Sequence, residues 1–203
     1  MYIIGIDEVG RGPIAGPLVV CACAIKSGVE ILSLFPKEQL RDSKKLSEKA
    51  RLSIMEQIPP YVETSEICFG IGELSAEQID EMGLSIAIKE ATSRALAKVH
   101  AQGVPKNTFI FLDGSLKAEA SYEQETIIRG DEKVVEIALA SIIAKVYRDT
   151  LMKKVSDAYP AYGFEKHVGY GTKAHYDAIA KHGITPLHRK SFLKNILEKN
   201  VTK

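Results

Sequence analysis

The N-terminal segment is a short apolar strand that ends in two adjacent carboxylates. Residues 2–6 are mostly isoleucine, Asp7 and Glu8 follow them, and a turn rich in glycine and proline comes next. A second apolar run at 17–26 completes the pattern of a β-hairpin. Because two carboxylates close an apolar strand, the segment predicts a sheet that carries a polar site at one edge.

The remaining chain alternates predicted strands with predicted helices. Further strands are predicted at 65–72, 108–114 and 125–131, and helices at about 47–58, 75–102, 134–158 and 173–182, with one more near the C-terminus. This order indicates an α/β fold in which helices flank a mixed β-sheet, followed by a small C-terminal helical subdomain. We expect a core over 1–158 and a C-terminal helical extension over 159–203.

Local signals set the expected ends of two helices. Ser47 is a suitable N-cap, and the helix after it is expected to stop at Pro59 and Pro60. Ser75 and Gln78 fit a capping box, after which apolar residues keep helical spacing until a glycine and a proline interrupt them. The second signal predicts one long amphipathic helix.

Charge is distributed unevenly along the 203 residues, although the net charge is only +1. The range 150–203 contains ten lysine and arginine residues against four aspartate and glutamate residues. A basic segment of this kind suits contacts with phosphate. On charge alone, a solvated helical surface explains it nearly as well.

Cysteine use and the N-terminal residues indicate a cytoplasmic protein. The three cysteines are odd in number, and Cys21 and Cys23 lie on one face of an apolar strand, where they pack as small hydrophobes. No basic leader precedes the first apolar run, and no stretch approaches the roughly 18 consecutive apolar residues of a membrane span. We expect a monomer in the cytoplasm with no membrane partner.

Two more predicted strands end in carboxylates, at Asp113 and near Asp131. Together with Asp7 and Glu8, they bring four carboxylates from three distant segments to one edge of the predicted sheet. Mg²⁺ and Mn²⁺ take such oxygen ligands, and two ions roughly 3.5 to 4 Å apart are suited to phosphodiester hydrolysis. The pattern predicts a metal-dependent nuclease site that needs no histidine or cysteine.

Each carboxylate also has a simpler explanation. Asp131 fits the N-cap of the following helix, Asp113 with Gly114 fits a turn, and Asp7 and Glu8 fit surface charges at a strand end. Neighbouring side chains of a regular strand point to opposite faces, so Asp7 and Glu8 share a site only where the pleat breaks. The combination of four carboxylates favours the metal site over these separate explanations.

Longer motifs surround the carboxylates. They are DEVGRGPIAGP at 7–17, DSKKL at 42–46, LDG at 112–114, GDEKVVEIALASIIAKVYRD at 130–149, and YGFEKHVGYGTKAH with GITPLHRKSF between 162 and 192. Together they resemble ribonuclease H type 2, the bacterial ribonuclease HII family, over nearly the whole chain. Gly83 in place of an expected Asn, and ALASI in place of AAASI, are small departures away from the site.

The resemblance implies a ribonuclease H-like fold and an endonuclease of RNA–DNA hybrids. The implied substrates include a single ribonucleotide within duplex DNA, cut on its 5′ side to leave a 3′-hydroxyl and a 5′-phosphate. By motif position, the catalytic and metal-binding residues would be Asp7, Glu8, Asp113 and Asp131. They would hold Mg²⁺ or Mn²⁺, with two ions per site.

The same resemblance implies how the substrate is recognised. Gly10, Arg11 and Gly12 would touch the ribose 2′-hydroxyl, largely through backbone groups, and Tyr170 would stack on the following deoxyribose. Only the 2′-hydroxyl distinguishes RNA from DNA at a single nucleotide. An aromatic ring is a sequence-tolerant platform for that second contact.

Other polar residues have weaker assignments. Lys44 and Lys45 lie before a predicted helix and would meet backbone phosphates, although a lysine pair alone is a weak signal. His188 with Arg189 fits a structural tie to the carboxylates and a substrate contact equally well. One stripe of the predicted long helix carries polar groups that we expect to support the site, with Arg148 beside it: Ser141, Lys145 and Asp149.

Three alternative functions fit parts of the sequence. Gly10 and Gly12 after a strand also begin a dinucleotide-binding fingerprint, although Pro13 and Pro17 oppose a helix there. A non-catalytic hybrid-binding protein of the same fold would have lost carboxylates that are all present. The sister type, ribonuclease HIII, usually carries an extra N-terminal domain, for which so early a first strand leaves no room. No sliding-clamp motif is recognisable at the C-terminus.

Overall fold

The structure, a computed structural model, describes residues 1–35 and 45–194. Its strands are β1 Tyr2–Val9, β2 Leu18–Lys26, β3 Ile67–Leu74, β4 Phe109–Asp113 and β5 Gln124–Ile127. They form one sheet in the order β3-β2-β1-β4-β5. The β1–β2 and β2–β3 pairs are antiparallel, whereas β1–β4 and β4–β5 are parallel. The predicted mixed α/β sheet is confirmed.

Helices cover both faces of this sheet. Helix α4, Leu84–His100, packs on β2 and β3, and helix α5, Val135–Ala158, packs on β1 and β2. Isoleucines of β1 contribute to the hydrophobic core on the α4 side, and Cys21 and Cys23 contribute to the core on the α5 side. These cysteines are free thiols buried in the core, as predicted.

Glycines let the two helices approach the strands closely. A Cβ atom on Gly5 of β1 would lie 2.1 Å from the carbonyl carbon of Glu136 in α5. A Cβ atom on Gly72 of β3 would lie 1.8 Å from the carbonyl oxygen of Ala91 in α4. Since no side chain fits at either position, the helix backbones lie directly on the sheet. The first turns of α5 therefore lie beside β1.

Shorter helices complete the described chain. They are α1 Glu48–Gln57, α2 Pro59–Glu63, α3 Ala76–Met82, α6 Phe164–His167 and α7 Lys173–His182. Single 3₁₀ turns lie at Leu32–Leu34, Gly130–Glu132, Pro160–Tyr162 and Lys190–Phe192. The last of these stands where a C-terminal helix was predicted, and the rest of that prediction lies outside the described residues. Within the described ranges, no helix is both long and apolar enough to cross a membrane.

Two helix predictions need correction. Ser47 caps α1 and the helix ends before Pro59, but Pro59 then begins α2, because proline is well tolerated in a first helical turn. The capping box of Ser75 and Gln78 is present. The single long helix predicted after it is wrong, since Gly83 adopts a φ of 79° and separates α3 from α4.

The segment before α5 also differs from the prediction. Strand β5 ends at Ile127, so Asp131 does not close a strand and lies in a 3₁₀ turn instead. The backbone of Arg129 is left-handed, with φ 54° and ψ 50°, and this residue turns the chain away from the sheet. Val134 is the N-cap of α5, so Asp131 does not have that role either.

The glycine-rich turn after β1 leads into β2, not into a helix. A dinucleotide fingerprint binds its pyrophosphate at the N-terminus of the helix that follows the glycines. The dinucleotide-binding interpretation of this turn is therefore wrong.

The C-terminal part of the described chain has its own hydrophobic cluster. Its fully or mostly buried members are Ile14, Ala15, Met152, Tyr162, Phe164, Ile179 and Leu193. Because two of these residues belong to the connection between β1 and β2, the C-terminal helices pack onto that connection. We call residues 10–17 the β1–β2 loop.

Candidate active site

The four predicted carboxylates line one cleft at the end of the sheet. Asp7 and Asp113 lie on the parallel neighbours β1 and β4, whose register is in step up to the residue before each carboxylate. Glu8 and Asp131 line the same cleft, which has a volume of about 580 Å³. Strand pairing thus brings together residues that are more than a hundred positions apart in the sequence.

Asp7 and Glu8 reach the cleft without the predicted break in the pleat. β1 remains paired with β2 through Val9, so the two side chains lie on opposite faces of the sheet. Asp7 faces α5, where the hydroxyl of Ser141 hydrogen-bonds to it. Both side chains line the cleft because it opens at the end of the sheet and not on one face.

Asp7 is in an environment that disfavours its charge. It is 6% exposed, and burial, followed by the negative charge of Glu8, raises its pKa well above the usual range, with a further contribution from Asp113. The Ser141 hydroxyl and the backbone N–H of Glu8, 2.7 Å from Oδ1, lower the pKa but do not cancel the rise. A cation in the cleft would offset this unfavourable charge.

Glu8 has one paired and one unpaired oxygen. Its Oε1 accepts a hydrogen bond from Arg11 Nη1 at 2.9 Å, and this pair is an ion pair. Its Oε2 is buried and has no hydrogen-bonding partner among residues 1–35 and 45–194. A buried carboxylate oxygen without a partner is unfavourable, and this one faces the same cleft as the other carboxylates.

Asp113 links two segments of the site. Its Oδ1 accepts a hydrogen bond from the backbone N–H of Gly130 at 2.6 Å, which fixes the turn that carries Asp131. Gly114 adopts a φ of 60°, so the predicted turn at Asp113 is also present. The turn and the carboxylate cluster are therefore features of the same residue and not alternatives.

The donor set of the cleft suits a hard cation. All four candidate ligands are carboxylates, one oxygen is orphaned, and like charges crowd Asp7. Among residues 1–35 and 45–194, however, no three His, Cys, Asp or Glu side chains are grouped closely enough to hold a metal ion by themselves. Mg²⁺ usually takes one or two carboxylates and completes its shell with water and substrate phosphate. The residues fit that mode of binding.

Arg189 fixes the β1–β2 loop through hydrogen bonds to its backbone. It is fully buried, and its guanidinium donates to three carbonyl oxygens: Gly10 at 2.6 Å, Arg11 at 3.2 Å and Gly16 at 2.9 and 3.1 Å. Burial, followed by the charge of Arg148, lowers the pKa of Arg189 to about 10. The sequence left the role of Arg189 open, and its contacts are structural.

Arg148 makes a second, parallel connection. It is also fully buried and donates to the carbonyl oxygens of Pro17 at 2.9 Å, Ala15 at 3.2 Å and Val168 at 2.8 Å. Val168 belongs to the turn that leads to Tyr170. Arg148 thus ties the β1–β2 loop to the segment that carries Tyr170.

Gly12 lies beside the ring of Tyr170. Tyr170 is 41% exposed and lines the cleft. A Cβ atom on Gly12 would lie 3.7 Å from Cε1 of the Tyr170 ring. The two elements that the resemblance assigns to substrate recognition are therefore adjacent, beside the carboxylates.

Comparison with known proteins agrees with this arrangement. The family model described as Ribonuclease HII matches residues 4–195. Ribonuclease HII from Clostridioides difficile (strain 630) is 44% identical over 197 residues, which cover 97% of this chain and 72% of that protein. The chain belongs to the ribonuclease HII family. It is therefore an enzyme of the ribonuclease class, and the resemblance in its motifs is confirmed.

Solved structures share the ribonuclease H-like fold of this ribonuclease HII chain. The ribonuclease H2 from Pyrococcus horikoshii OT3 matches with a TM-score of 0.77 and 21% identity, and both chains are fully covered. Bst-RNase HIII in complex with Mn²⁺ matches with a TM-score of 0.72 and 21% identity, over 100% of this chain and 71% of that chain. At this identity the two structures establish the fold alone.

The predicted lysine pair of this ribonuclease HII chain is described only in part. Lys45 lines the cleft, and its Nζ lies 2.5 Å from Oε1 of Glu132. The hydrogen bond from Lys45 lowers the pKa of Glu132. Lys44 lies outside the described residues.

Two hydrogen-bonded histidines lie beneath Tyr170, and a third histidine stacks on one of them. His175 Nδ1 donates to the carbonyl of Tyr170 at 2.8 Å, so its Nε2 must accept from Nε2 of His188 at 3.0 Å. Nδ1 of His188 then accepts from the backbone N–H of Thr185 at 2.9 Å. His167 stacks on His175 with ring centroids 4.4 Å apart. With both rings neutral, His175 protonated on Nδ1 and His188 protonated on Nε2, all of these hydrogen bonds form.

The cleft is lined by further residues, of which some had a predicted role and some had none. Ser141 and Lys145 were assigned to a supporting stripe, and both line the cleft, with Lys145 Nζ 2.9 Å from Asp149. Ile128 and Arg129 also line it and had no assigned role. The one sequence signal for a role of Ile128 and Arg129 in the cleft is an isoleucine directly before a charged turn.

Proposed function

We propose that this ribonuclease HII hydrolyses the RNA strand of RNA–DNA hybrids and also cuts duplex DNA on the 5′ side of an embedded ribonucleotide. The products would carry a 3′-hydroxyl and a 5′-phosphate. The observation that carries this proposal is that the four carboxylates and Tyr170 line a single cleft, and that Gly12 lies beside the Tyr170 ring. One part of the cleft has the groups for phosphodiester hydrolysis, and the other has the groups to recognise a ribose.

Asp7, Glu8, Asp113 and Asp131 would hold two divalent cations, Mg²⁺ or Mn²⁺. The orphaned Oε2 of Glu8 and the raised pKa of Asp7, which burial and neighbouring charges cause, support this assignment. Bound divalent cations supply activation of the attacking water and neutralisation of charge on the leaving oxygen. Substrate phosphate and water would complete a shell that the carboxylates fill only in part.

The protein groups around the carboxylates have separate tasks. The Ser141 hydroxyl donates to Asp7 and keeps that carboxylate oriented toward the cleft. Arg11 pairs with Glu8 and lies 44% exposed, so it can turn from the carboxylate to a substrate phosphate. Both residues act by positioning charge and not by transferring a proton.

The β1–β2 loop and Tyr170 would select the position of the cut. Gly10, Arg11 and Gly12 would contact the 2′-hydroxyl through backbone groups. A Cβ atom at position 12 would lie 3.7 Å from the Tyr170 ring, so these groups are next to that ring. Tyr170 would stack on the next sugar, where a deoxyribose fits and marks the RNA-to-DNA junction. Buried Arg148 and Arg189 keep these two elements at a constant separation.

The C-terminal region would extend the surface that binds nucleic acid. Residues 159–203 would act as a helical substrate-binding extension of a catalytic core at 1–158. The excess of basic residues from 150 onward supports this role, and the hydrophobic cluster of the C-terminal helices packs them onto Ile14, Ala15 and Met152 of the core. Lys44 and Lys45 would contact backbone phosphates from the other part of the chain.

Cleavage of two substrates tests the proposal. One is a DNA duplex with a single central ribonucleotide, and the other is a hybrid with a continuous RNA strand, each assayed with Mg²⁺ and with Mn²⁺. We expect metal-dependent cutting of both, with a 3′-hydroxyl on the upstream product of the first. Asp7→Asn should abolish cutting, and Asp157→Asn, at an exposed residue distant from the cleft, should not. Absence of a cut beside the ribonucleotide would contradict the proposal.

A further inference from the structure

The turn after β5 contains a strained residue. Arg129 has a φ of 54°, a left-handed conformation that is sterically unfavourable for any residue with a Cβ atom. The described residues include two other non-glycine residues with positive φ, Ser65 and Val168, and neither lines the carboxylate cleft. A glycine would adopt the Arg129 conformation without a clash, so the backbone alone does not call for arginine.

Hydrogen bonds hold this turn in place. The carbonyl of Ile127 accepts from the backbone N–H of Gly114 at 3.0 Å, and the N–H of Gly130 donates to Asp113 at 2.6 Å. Nζ of Lys133 donates to the carbonyl of Ile128 at 2.7 Å. The side chains of Ile128 and Arg129 therefore project from a well-anchored backbone.

No hydrogen bond or ion pair with another described residue explains the position of either side chain. Ile128 is 75% exposed although it lines a cleft rich in charge. Arg129 is exposed and lines the cleft. Its charge helps to lower the pKa of Glu132, but its guanidinium makes no hydrogen bond or ion pair with a residue in the ranges 1–35 and 45–194. By contrast, Lys45 and Lys145 in the same cleft are paired with Glu132 and Asp149.

The strand order places this turn opposite the ribose-reading elements. The β1–β2 loop with Gly12 leads away from β1 toward β2, whereas β5 lies beyond β4 on the other side of β1. The carboxylates of β1 and β4 therefore lie between the Gly12–Tyr170 pair and Arg129. In the proposed function the ribonucleotide lies at Gly12 and the next nucleotide at Tyr170, so the strand continues in the 5′ direction toward Arg129.

We propose that Ile128 and Arg129 form a substrate contact on the 5′ side of the cut, which rests on the proposed function for the direction of the strand. Arg129 donates to a backbone phosphate of the cleaved strand, and Ile128 packs against the sugar of that nucleotide. The contact is sequence-independent, since phosphates and sugars are common to every nucleotide. It holds the strand on the far side of the scissile phosphate from Tyr170.

A thermodynamic cycle between Arg129 and single phosphates tests the contact. Binding is measured by fluorescence anisotropy in an Asp7→Asn background, which prevents cutting, with duplexes that carry one ribonucleotide. In separate duplexes, one phosphate after another in the ribonucleotide-containing strand is replaced by an uncharged methylphosphonate. Arg129→Gly removes the guanidinium and suits the left-handed backbone, so the variant should melt at or above the temperature of its parent.

We expect Arg129→Gly to weaken binding about tenfold, as for one charge-assisted hydrogen bond, and to reduce the salt dependence by about one counterion. The loss should disappear when a phosphate 5′ of the cut is neutralised, and should persist when any 3′ phosphate is neutralised. Arg129→Lys should restore part of the affinity. Lys106→Ala removes an exposed charge at the opposite end of β4 and should leave binding unchanged.

Ile128→Asn separates the apolar contact from the charged one. It should weaken binding without altering the salt dependence, since no phosphate contact is lost. Unchanged binding in Arg129→Gly, or a loss that disappears only on neutralising a 3′ phosphate, would overturn the proposal. Failure of the unsubstituted enzyme to cut beside the ribonucleotide would instead count against the proposed function, because the binding cycle is read independently of cleavage.

Discussion

Arg189 donates from Nη2 to the carbonyl oxygen of Gly10 at 2.6 Å, which joins two residues 179 positions apart in the sequence. The same guanidinium also bonds the carbonyls of Arg11 and Gly16. A buried cation is stable here because carbonyl dipoles accept its hydrogen bonds and the negative charge of Asp80 acts on it. The C-terminal segment thereby fixes the loop that follows the candidate metal ligands.

Arg189→Lys should destabilise the protein and impair the use of embedded ribonucleotides. Lysine donates from one nitrogen atom only. It therefore cannot reach three separate carbonyl oxygens as the planar guanidinium does. We expect a loss of about 1 to 3 kcal/mol in the free energy of unfolding, measured with urea. The kcat for the single-ribonucleotide duplex should fall more than that for the continuous hybrid.

A surface arginine provides the control for this substitution. Arg94 pairs with Glu90 on α4 and is 40% exposed. Arg94→Lys should change stability by less than about 0.5 kcal/mol and should leave both activities unaltered. Equal behaviour of the two lysine variants would show that the buried guanidinium has no special role.

Asp7→Asn should make the metal-free protein more stable while it removes activity. Burial and the charges of Glu8 and Asp113 raise the pKa of Asp7 in the folded state, so its ionised form opposes folding at neutral pH. Asparagine keeps the shape and can still accept from Ser141. We expect a gain on the order of 1 kcal/mol in urea unfolding without metal.

The stability that Asp7→Asn gains over the wild type should depend on pH. Because the folded-state pKa of Asp7 is raised, its unfavourable contribution in the wild type is relieved as the pH falls through that pKa toward the unfolded value near 3.8. The stability advantage of Asp7→Asn should therefore shrink on acidification. Mg²⁺ or Mn²⁺ should raise the melting temperature of the wild type and not of the variant. An advantage that is constant with pH would refute this account.

Tyr170→Ala should distinguish the two kinds of substrate. Loss of the ring removes the platform for the deoxyribose after the ribonucleotide, a contact of the size that stacking supplies, so single-ribonucleotide cutting should fall about tenfold. Cutting of a continuous hybrid should fall less, and Tyr170→Phe should retain both activities. Tyr147→Ala, which removes a similarly exposed tyrosine that does not line the cleft, is the control. Equal losses on both substrates would exclude junction sensing by Tyr170.

The buried histidine pair should make stability depend on pH. Burial, followed by the proximity of His175, lowers the pKa of His188 to about 4, and burial also lowers the pKa of His175. The folded state therefore binds fewer protons than the unfolded state, so stability is complete above about pH 6.5 and is lost as the pH falls toward 4. His188 alone should contribute a loss of about 3 kcal/mol.

Two measurements check this expectation. Urea unfolding at pH 8, 6 and 4.5 gives the stability, and NMR titration gives the pKa of His188 directly. The exchangeable protons should also report donation from His188 Nε2 to His175. A His188 that titrates near pH 6.5 in the folded protein would contradict the hydrogen-bonded neutral pair.

The sequence predicted some elements well and others poorly, for identifiable reasons. Helix α5 and helix α7 follow uninterrupted helical spacing, and their observed bounds agree with the predicted ones to within a residue. The break at Gly83 was missed because apolar residues keep helical spacing after it, although a glycine with positive φ is a common helix end. The position of Asp131 was misjudged because β5 ends early, at Ile127, and a left-handed Arg129 then turns the chain. No local pattern in the sequence indicates that turn.

Local chemistry was enough to determine the strands that carry Asp7 and Asp113, the family to which the motifs belong, and the expectation of a site built from carboxylates. Only the tertiary structure decided that these residues share one cleft with Tyr170 and Arg129, and that Gly12 lies beside Tyr170. Proximity in the cleft depends on parallel pairing of β1 with β4 and on buried arginines that join distant loops. Such contacts link residues far apart in the chain, so no periodicity or spacing in the sequence records them.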